Sequence, residues 1–192
     1  GGCMAEAVTT LVQSAMPSGG RVLGEALRLT VLPLRTLVHF RLDARSPKAS
    51  SALRIAGRSL PKTPNTWIDG DPIICRLAPD TWWLVSAVHE AAVLEAAVRA
   101  ACGKRPCAIV DLTDAHVTLA LEGPHAASLL ARGCGLDFSP TIFGATASVR
   151  TRMAQLPVMI RRTTHERFEV IVDRSVAQYL LDWMQDAATG LD

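Results

Sequence analysis

Cysteine is the first residue type in this sequence that could do chemistry. Cys134 lies between Gly133 and Gly135 and could be a reactive thiol. A thiol acts as a nucleophile only when a nearby base or a lowered pKa supplies its thiolate form. The nearest histidine in the sequence is His125, one predicted helix away, so we interpret Cys134 as a packed or turn cysteine.

A second pair of thiols, Cys102 and Cys107, could bind a metal ion. Zinc sites usually combine a closer pair of cysteines with a second pair of ligands elsewhere. Gly103 and Pro106 lie between these thiols and predict a turn from a helix into a strand instead. The five cysteines are odd in number and irregularly spaced, which indicates free thiols in a reducing compartment rather than a disulfide framework.

Carboxylates and imidazoles are the other candidates for acid–base chemistry. Asp111 and Asp114 could act as a general acid and base. However, Asp114 lies in an Asp-Ala-His turn between two predicted strands, where aspartate commonly bonds the local backbone. We therefore favour the turn. The five histidines share no spacing typical of metal ligands: His39, His89, His116, His125 and His165.

Sequence motifs add no cofactor site. The chain has no zinc box, nucleophile elbow, Walker loop or Gly-x-Gly-x-x-Gly fingerprint. Those motifs are the usual sequence indications of metal, acyl-transfer, nucleotide and dinucleotide chemistry. We therefore assign no catalytic, cofactor-binding or metal-binding residue to this chain.

The composition indicates a large core with apolar surface left over. Of 192 residues, 49% are hydrophobic and only 20% are charged, and the mean hydropathy is +0.22. We expect a partner protein to cover part of that surface. Trp82 and Trp83 should point to opposite faces of one strand. One should lie in the core, and the other either beneath a helix or at an interface, where aromatic residues are enriched.

Charge and hydropathy exclude several classes of protein. The net charge of +2 is small and the basic residues are scattered, so nucleic acid is not an expected partner. The longest apolar stretch, residues 27–40, is broken by Arg28 and Arg35, so we expect no membrane span. The N-terminus lacks the basic region of a secretory signal. We therefore expect a cytoplasmic protein.

The chain divides into a mobile N-terminal arm, residues 1–24, and a single α+β domain, residues 25–192. The arm is small and polar and contains a breaker at Pro17-Ser18-Gly19-Gly20. Alternating apolar residues predict strand structure over Leu27 to Asp43, with a break at Pro33.

The rest of the domain alternates between strands and helices. Ser46-Pro47 predicts the start of a helix that runs to about Ala56. The other predicted strands are Ile73–Leu77, Trp82–Ser86, Cys107–Asp111, Val117–Glu122, Ala145–Met153, Leu156–Ile160 and Phe168–Val172. The other predicted helices are His89–Cys102, Gly123 to about Ala131, and a closing helix capped by Asp173 or Ser175. The buried stripe of the closing helix should be Val176, Tyr179, Leu180, Trp183, Met184 and Ala187. This order favours an α+β fold of antiparallel sheets covered by helices.

Five segments, in this order and spacing, resemble the gamma subunit of heterotetrameric sarcosine oxidase over roughly residues 27–186. They are ALRIAGRSLPKTPNT (52–66), LAPDTWWLV (77–85), VDLTD (110–114), LEGPHAASLLARGCGLD (121–137) and FEVIVDRSVAQYLLDW (168–183). Each segment alone is weakly specific, whereas the ordered set is fairly specific.

The resemblance implies the folate-binding domain fold of the glycine-cleavage T-protein. It also implies an assembly of alpha, beta, gamma and delta chains that oxidises the N-methyl group of sarcosine and delivers the one-carbon unit to tetrahydrofolate. FAD, FMN and NAD would lie on or between alpha and beta, and zinc on delta. The gamma chain would hold no cofactor and pack on the large alpha flavoprotein. Related complexes act on other N-methyl amino acids, so the amine substrate stays open.

Two alternatives to a non-catalytic gamma-type subunit stay open. One is a stand-alone folate-dependent aminomethyltransferase-like enzyme, and the other is a folate-binding regulator. The wider superfamily carries a Lys-Gly-Cys-Tyr-x-Gly-Gln-Glu box. Residues 132–135, Arg-Gly-Cys-Gly, occupy a similar place but lack the Gln-Glu that follows. That departure argues against an independent folate or iron–sulfur role and favours a chain that is part of an oxidoreductase only within its complex.

Overall fold

The computed structural model describes residues 19–23, 26–42 and 53–191. The strands in these ranges are β1 (Gly19–Val22), β2 (Arg28–Val31), β3 (Thr36–Leu42), β4 (Arg54–Ile55), β5 (Arg58–Ser59), β6 (Thr66–Ile68), β7 (Ile73–Ala78), β8 (Thr81–Ser86), β9 (Cys107–Asp111), β10 (His116–Glu122), β11 (Ser148–Met153), β12 (Leu156–Thr164) and β13 (Arg167–Asp173). The α-helices are α1 (Ala91–Cys102), α2 (Ala126–Gly133) and α3 (Ala177–Ala188). None of these helices is long and apolar enough to cross a bilayer.

The strands form two antiparallel sheets and one small hairpin. The six-stranded sheet has the order β1-β2-β10-β13-β12-β11, and the five-stranded sheet has the order β6-β7-β8-β3-β9. Strands β4 and β5 pair only with each other. The predicted α+β fold of antiparallel sheets covered by helices is confirmed.

The core has three parts, because each sheet is apolar on both faces. The six-stranded sheet buries one cluster, which includes Phe168, against α2 and α3. The five-stranded sheet buries a second cluster, which includes Phe40, against α1. A third cluster, which includes Met159 and Ile171, lies between the two sheets. The molecule is therefore layered as helix, sheet, sheet and helix.

Strand β8 shows why the two sheets can pack on each other. Its residues alternate, so Trp82 lies beneath α1 and Trp83 faces the six-stranded sheet. Trp82 stacks on Phe40 with ring centroids 5.2 Å apart. The two indoles are only 1% and 3% exposed. Both tryptophans belong to the core, so the interface alternative for the second indole is wrong.

Among the described residues, the chain crosses between the two sheets at two short connections. Pro33 lies between β2, in the six-stranded sheet, and β3, in the five-stranded sheet, so the predicted break at this proline is confirmed. The strands predicted around the Asp-Ala-His turn are also present, as β9 and β10. They lie in different sheets, and the helical turn Thr113–Ala115 carries the chain from one sheet to the other.

One prediction near the N-terminal end is corrected. The breaker is wrong at Gly19 and Gly20, which begin β1 and pair with Val31 and Thr30 of β2. Hydrogen bonding along that ladder outweighs the turn preference of glycine. Residues 1–18 lie outside the described ranges, so the division into an arm (1–24) and a domain (25–192) stays a prediction.

The helix predicted from Ser46 to about Ala56 is wrong at its end, and its start lies outside the described residues. Arg54 and Ile55 form β4. The φ angles of Ala56 and Gly57 are 49° and 74°, which no right-handed helix contains. Ile55 is fully buried in the cluster beneath α1, so tertiary packing overrides the local helix signal.

The three predicted helices over the second half of the chain are present, but the buried stripe of α3 is rotated. Leu180 and Met184 are buried as predicted, whereas Tyr179 is 53% exposed. Ala177 and Leu181 are buried in its place. The helix therefore faces the sheet along a line shifted by part of a turn.

Candidate functional site

Cys134 is buried directly after α2, with 5% of its surface exposed. Its Sγ lies 3.7 Å from Thr151 Oγ1, a hydroxyl that is too weak a base to form the thiolate. His125 lies at the opposite end of α2, directly before Ala126. The interpretation of Cys134 as a packed cysteine is confirmed.

Cys102 and Cys107 are neighbours at the turn from α1 into β9, as predicted. Burial raises the pKa of the Cys102 thiol to about 11, and a hydrogen bond with Cys107 adds to the rise. Within the described ranges, no three histidine, cysteine, aspartate or glutamate side chains come together as a metal site.

Asp111 and Asp114 have separate structural partners. Asp111 Oδ1 accepts hydrogen bonds from Thr113 N at 2.9 Å and from Thr113 Oγ1 at 2.6 Å. Asp114 lies 3.7 Å from the guanidinium of Arg174, and 65% of its side chain is exposed. The turn interpretation is therefore confirmed, although Asp111 rather than Asp114 bonds the local backbone.

Three side chains of the types used in hydrolytic triads meet between β8 and α1. Ser86 Oγ donates to Asp71 Oδ1, and His89 Nδ1 lies 3.0 Å from the same oxygen. Ser86 Oγ also accepts hydrogen bonds from Val88 N at 3.1 Å and His89 N at 2.7 Å. Ser86 Oγ also lies 3.3 Å from His89 Nδ1, but this serine donates to the carboxylate, whereas a catalytic serine donates to histidine. The cluster ties the loop at Asp71 to the start of α1.

A group of buried charges lies between the sheets. Glu169 on β13 accepts hydrogen bonds from Arg161 on β12, at 2.6 and 3.0 Å, and from Arg35, at 3.1 Å. The guanidinium of Arg161 also lies 4.4 Å from the centroid of the Trp67 ring. Pairing and the cation–π contact offset the cost of taking these charges out of water. With its oxygens held by guanidinium groups, Glu169 is a structural carboxylate.

A cleft of about 70 Å³ also opens between the sheets, lined in part by Trp83, His116, Arg150 and Asp173. Trp83 and His116 meet edge to face with ring centroids 5.3 Å apart. The Arg150 guanidinium lies 5.8 Å from the Trp83 ring. Burial lowers the pKa of His116, although the Leu112 carbonyl and the Asp173 carboxylate oppose that shift. At neutral pH the cleft therefore combines a neutral imidazole, one guanidinium and one carboxylate.

The cleft is small compared with the pockets that usually hold larger ligands, which enclose about 300–1,000 Å³. An open groove of about 410 Å³ lies beside β1 and β2, lined by Val22, Ala26, Leu27, Arg28, Glu122 and Pro124. That lining has no aromatic ring to stack on a pterin or a flavin.

The sequence predicted neither the buried charges nor the cleft as a group. Their members come from several strands and meet only through strand pairing. One signal was available at Glu169, which interrupts the apolar run Phe-Glu-Val-Ile-Val of a predicted strand. A lone charge inside such a strand indicates either a buried partner or a site.

The sequence of this chain is similar to those of known proteins. The model of the family described as "Sarcosine oxidase, gamma subunit family" matches residues 41–190. Sarcosine oxidase subunit gamma of Corynebacterium sp. (strain U-96) is 32% identical over 111 residues, which are 58% of this chain and 53% of that protein. The subunit gamma of Arthrobacter sp is 29% identical over 113 residues, 59% of this chain and 55% of that protein. The alignments thus span about half the length of these curated relatives.

Two solved structures share the fold of this chain. One is a heterotetrameric sarcosine oxidase from Corynebacterium sp. U-96 in complex with pyrrole 2-carboxylate, with TM-score 0.71, 23% identity, 86% of this chain covered and 85% of that chain. The other is the glycine cleavage system aminomethyltransferase T from Bartonella henselae, with TM-score 0.57, 22% identity, 81% of this chain covered and 44% of that chain. Because the family model covers well over half of its residues, the chain belongs to the sarcosine oxidase gamma subunit family.

Proposed function

We propose that this chain is a non-catalytic gamma-type subunit of a heterotetrameric sarcosine oxidase-like flavoenzyme. The complex oxidatively demethylates sarcosine or another N-methyl amino acid and transfers the one-carbon unit to tetrahydrofolate. The alpha, beta and delta partners hold FAD, FMN, NAD, tetrahydrofolate and zinc. This chain packs on the large alpha-type flavoprotein and stabilises its working conformation, since binding to a folded state stabilises that state.

The observation that carries this proposal is the family match over residues 41–190. The fold shared with the heterotetrameric enzyme of Corynebacterium sp. U-96 supports it. The chemistry of the side chains agrees with it. The thiol of Cys134, the hydroxyl of Ser86 and the carboxylate of Glu169 are each held in structural contacts.

The outward side of α1 is the docking face that we propose. Ala92, Val93, Ala96 and Ala100 are exposed there, and Val93 is 53% exposed. Val88, just before the helix, is 79% exposed. A helix that faces water usually carries polar residues on that side. On this side the exposed Arg99 stands among exposed apolar residues, and that apolar surface supports contact with a partner.

Co-purification tests the proposal. This chain is tagged, expressed with its genomic neighbours and washed at high ionic strength. We expect a large flavoprotein to elute with it, because salt screens charge pairs but not apolar contacts. Val93→Asp should release that partner, whereas Ile142→Asp, at another exposed apolar position, should not.

The possible failures of this experiment are distinct. If the neighbours assemble into an active oxidase without this chain, the subunit proposal is wrong. If Val93→Asp and Ile142→Asp both retain the partner, the α1 face is wrong and the subunit proposal stands.

A stand-alone folate-dependent aminomethyltransferase-like enzyme is a second candidate, and a folate-binding regulator is its non-catalytic form. The fold shared with the Bartonella henselae aminomethyltransferase favours this class. It requires the isolated chain to bind tetrahydrofolate. Saturable binding in a calorimetric titration would favour it, whereas the gamma-type proposal expects no binding by the isolated chain.

A further inference from the structure

Two buried polar atoms on the inner face of the five-stranded sheet have no hydrogen-bond partner among the described residues. They are Nε1 of Trp83 and Nε2 of His39. The Trp83 side chain lines the cleft between the sheets and is 3% exposed. A buried N–H group without a partner costs free energy, so native proteins usually satisfy it with protein, water or a ligand.

Strand register places His39 beside Trp83 on the same side of the sheet. The two residues are directly opposite each other in the antiparallel pair β3–β8. Opposite residues in such a pair point to the same face, and Trp83 faces the six-stranded sheet. His39 therefore lies on the same face of the sheet as Trp83, and of these two residues Trp83 is the one that lines the cleft.

Arg150 supplies a positive charge at this cleft. It is exposed, and among the described residues it forms none of the ion pairs found. Burial lowers the pKa of His39, and the positive charges of Arg150 and Arg41 lower it further. Arg41 is paired with Asp80 at 2.7 Å. The carboxylate in the lining, Asp173, accepts hydrogen bonds from Ser175 N and Oγ at 2.8 and 2.6 Å. Arg150 is thus available to an anion, and the Oδ1 atom of Asp173 is already hydrogen-bonded.

We propose that this cleft binds a small monocarboxylate through the Arg150 guanidinium and the Trp83 indole N–H. A carboxylate has two acceptor oxygens in one plane, so a guanidinium and an indole N–H can each bond one of them. The cleft volume of about 70 Å³ exceeds the roughly 10–15 Å³ that a cavity needs to hold one water molecule. That volume fits a carboxylate group with a short stem.

A dianion such as phosphate suits the cleft less well. The lining includes one guanidinium and one carboxylate, so a second negative charge on the ligand would have no cation of its own. This inference concerns residues of this chain and does not rest on the proposed function.

The test is a titration of the full chain with acetate, followed by the indole ¹H–¹⁵N signals. The Trp83 signal is identified by its loss in Trp83→Phe, which keeps an aromatic ring but removes the N–H. We expect that signal to shift saturably with a Kd of about 1–10 mM, as befits a ligand of four heavy atoms. Chloride at equal ionic strength should not produce the shift.

Two arginine variants on β11 provide the matched control. Arg150→Met should weaken acetate binding about tenfold or more, since a charge-assisted hydrogen bond is lost. Arg152→Met should bind like the wild type, because Arg152 bonds Gln155 O and does not line the cleft. Both positions are exposed, so both variants should fold. The proposal is overturned if acetate gives no saturable shift, if chloride reproduces the shift, or if the two variants bind alike.

Discussion

Asp71 shows how one carboxylate can hold two segments together. It accepts hydrogen bonds from the Ser86 hydroxyl, from Ala87 N at 3.1 Å and from the His89 imidazole. Burial alone would raise the pKa of Asp71, but the hydrogen bonds from Ser86 and His89 outweigh it and hold the pKa below its usual value. A folded pKa below the unfolded value means that the stabilisation is present above about pH 4 and is lost as pH falls through the folded pKa.

Asp71→Asn is therefore expected to lower the free energy of unfolding by about 1–2 kcal/mol near pH 7. The deficit should shrink as the pH falls from 7 toward about 2, because the wild-type carboxyl is progressively protonated over that range. Urea unfolding at both pH values measures this difference. Asp69→Asn, at a nearby aspartate that accepts a hydrogen bond from Gly70 N, is the control. An equal deficit at both pH values would mean that the amide disturbs packing rather than removing a charge.

Glu169 is the anion that pairs with Arg161 and Arg35 between the sheets. Arg161 and Glu169 are each 4% exposed. Glu169→Gln leaves the guanidinium groups of Arg161 and Arg35 without their anion, and breaking a buried pair in this way costs about 3–5 kcal/mol. Denaturant unfolding measures the loss, and Glu166→Gln on the exposed β12–β13 turn should change stability by less than about 0.5 kcal/mol. Similar values for the two variants would show that water reaches the cluster.

At the scale of elements, the contact between α2 and α3 depends on a glycine. A Cβ atom at Gly133 would lie 2.5 Å from Cη2 of Trp183, closer than any real contact. Gly133→Ala is therefore expected to destabilise the chain by about 1–3 kcal/mol, as overpacking does. Gly135→Ala meets nothing within 4 Å and should change stability by less than about 1 kcal/mol.

A double variant separates overpacking from a backbone effect. Trp183→Leu shortens the side chain that the new Cβ would meet, so it should recover part of the loss in the Gly133→Ala background. Thermal or denaturant unfolding of the four proteins gives the coupling energy, which should be at least about 0.5 kcal/mol for residues in contact. Additive losses would mean that the glycine is needed for its backbone alone.

The sequence predicted most strands and helices but not all of their faces. Alternation on β8 and the breaks at Pro33 and Gly103 are local signals, and the structure agrees with them. The prediction of a helix from Ser46 was wrong at its end because Ile55 packs into the core beneath α1. That packing is a long-range contact. The predicted buried stripe of α3 was wrong at Tyr179, whose ring can lie at the surface with its hydroxyl in water.

At the scale of the whole molecule, the pairing of strands decides what the sequence could not. Nothing local indicates that β9 and β10 belong to different sheets, or that the sheets meet edge to edge. They do so where Thr66 bridges Ala147 and Trp67 N donates to Thr146 O at 2.9 Å. The cleft likewise brings together Trp83 and Arg150, which are far apart in the sequence. Single-residue chemistry therefore predicted the packed Cys134, whereas every site built from several strands needed the structure.

Alkylation of Cys75 measures whether the two sheets separate. It is fully buried in the cluster between them, and burial raises the pKa of its thiol to about 12. At pH 8 only about one thiol in ten thousand would be ionised, so alkylation of Cys75 should require unfolding. Pulsed alkylation in increasing urea, read by peptide mass spectrometry, should give a Cys75 curve that coincides with the loss of circular dichroism. Cys107, which is half-buried, should be labelled earlier and is the internal control. If Cys75 is labelled in native conditions as fast as Cys107, the sheets separate without global unfolding, and the two halves of the sandwich are independent cooperative units.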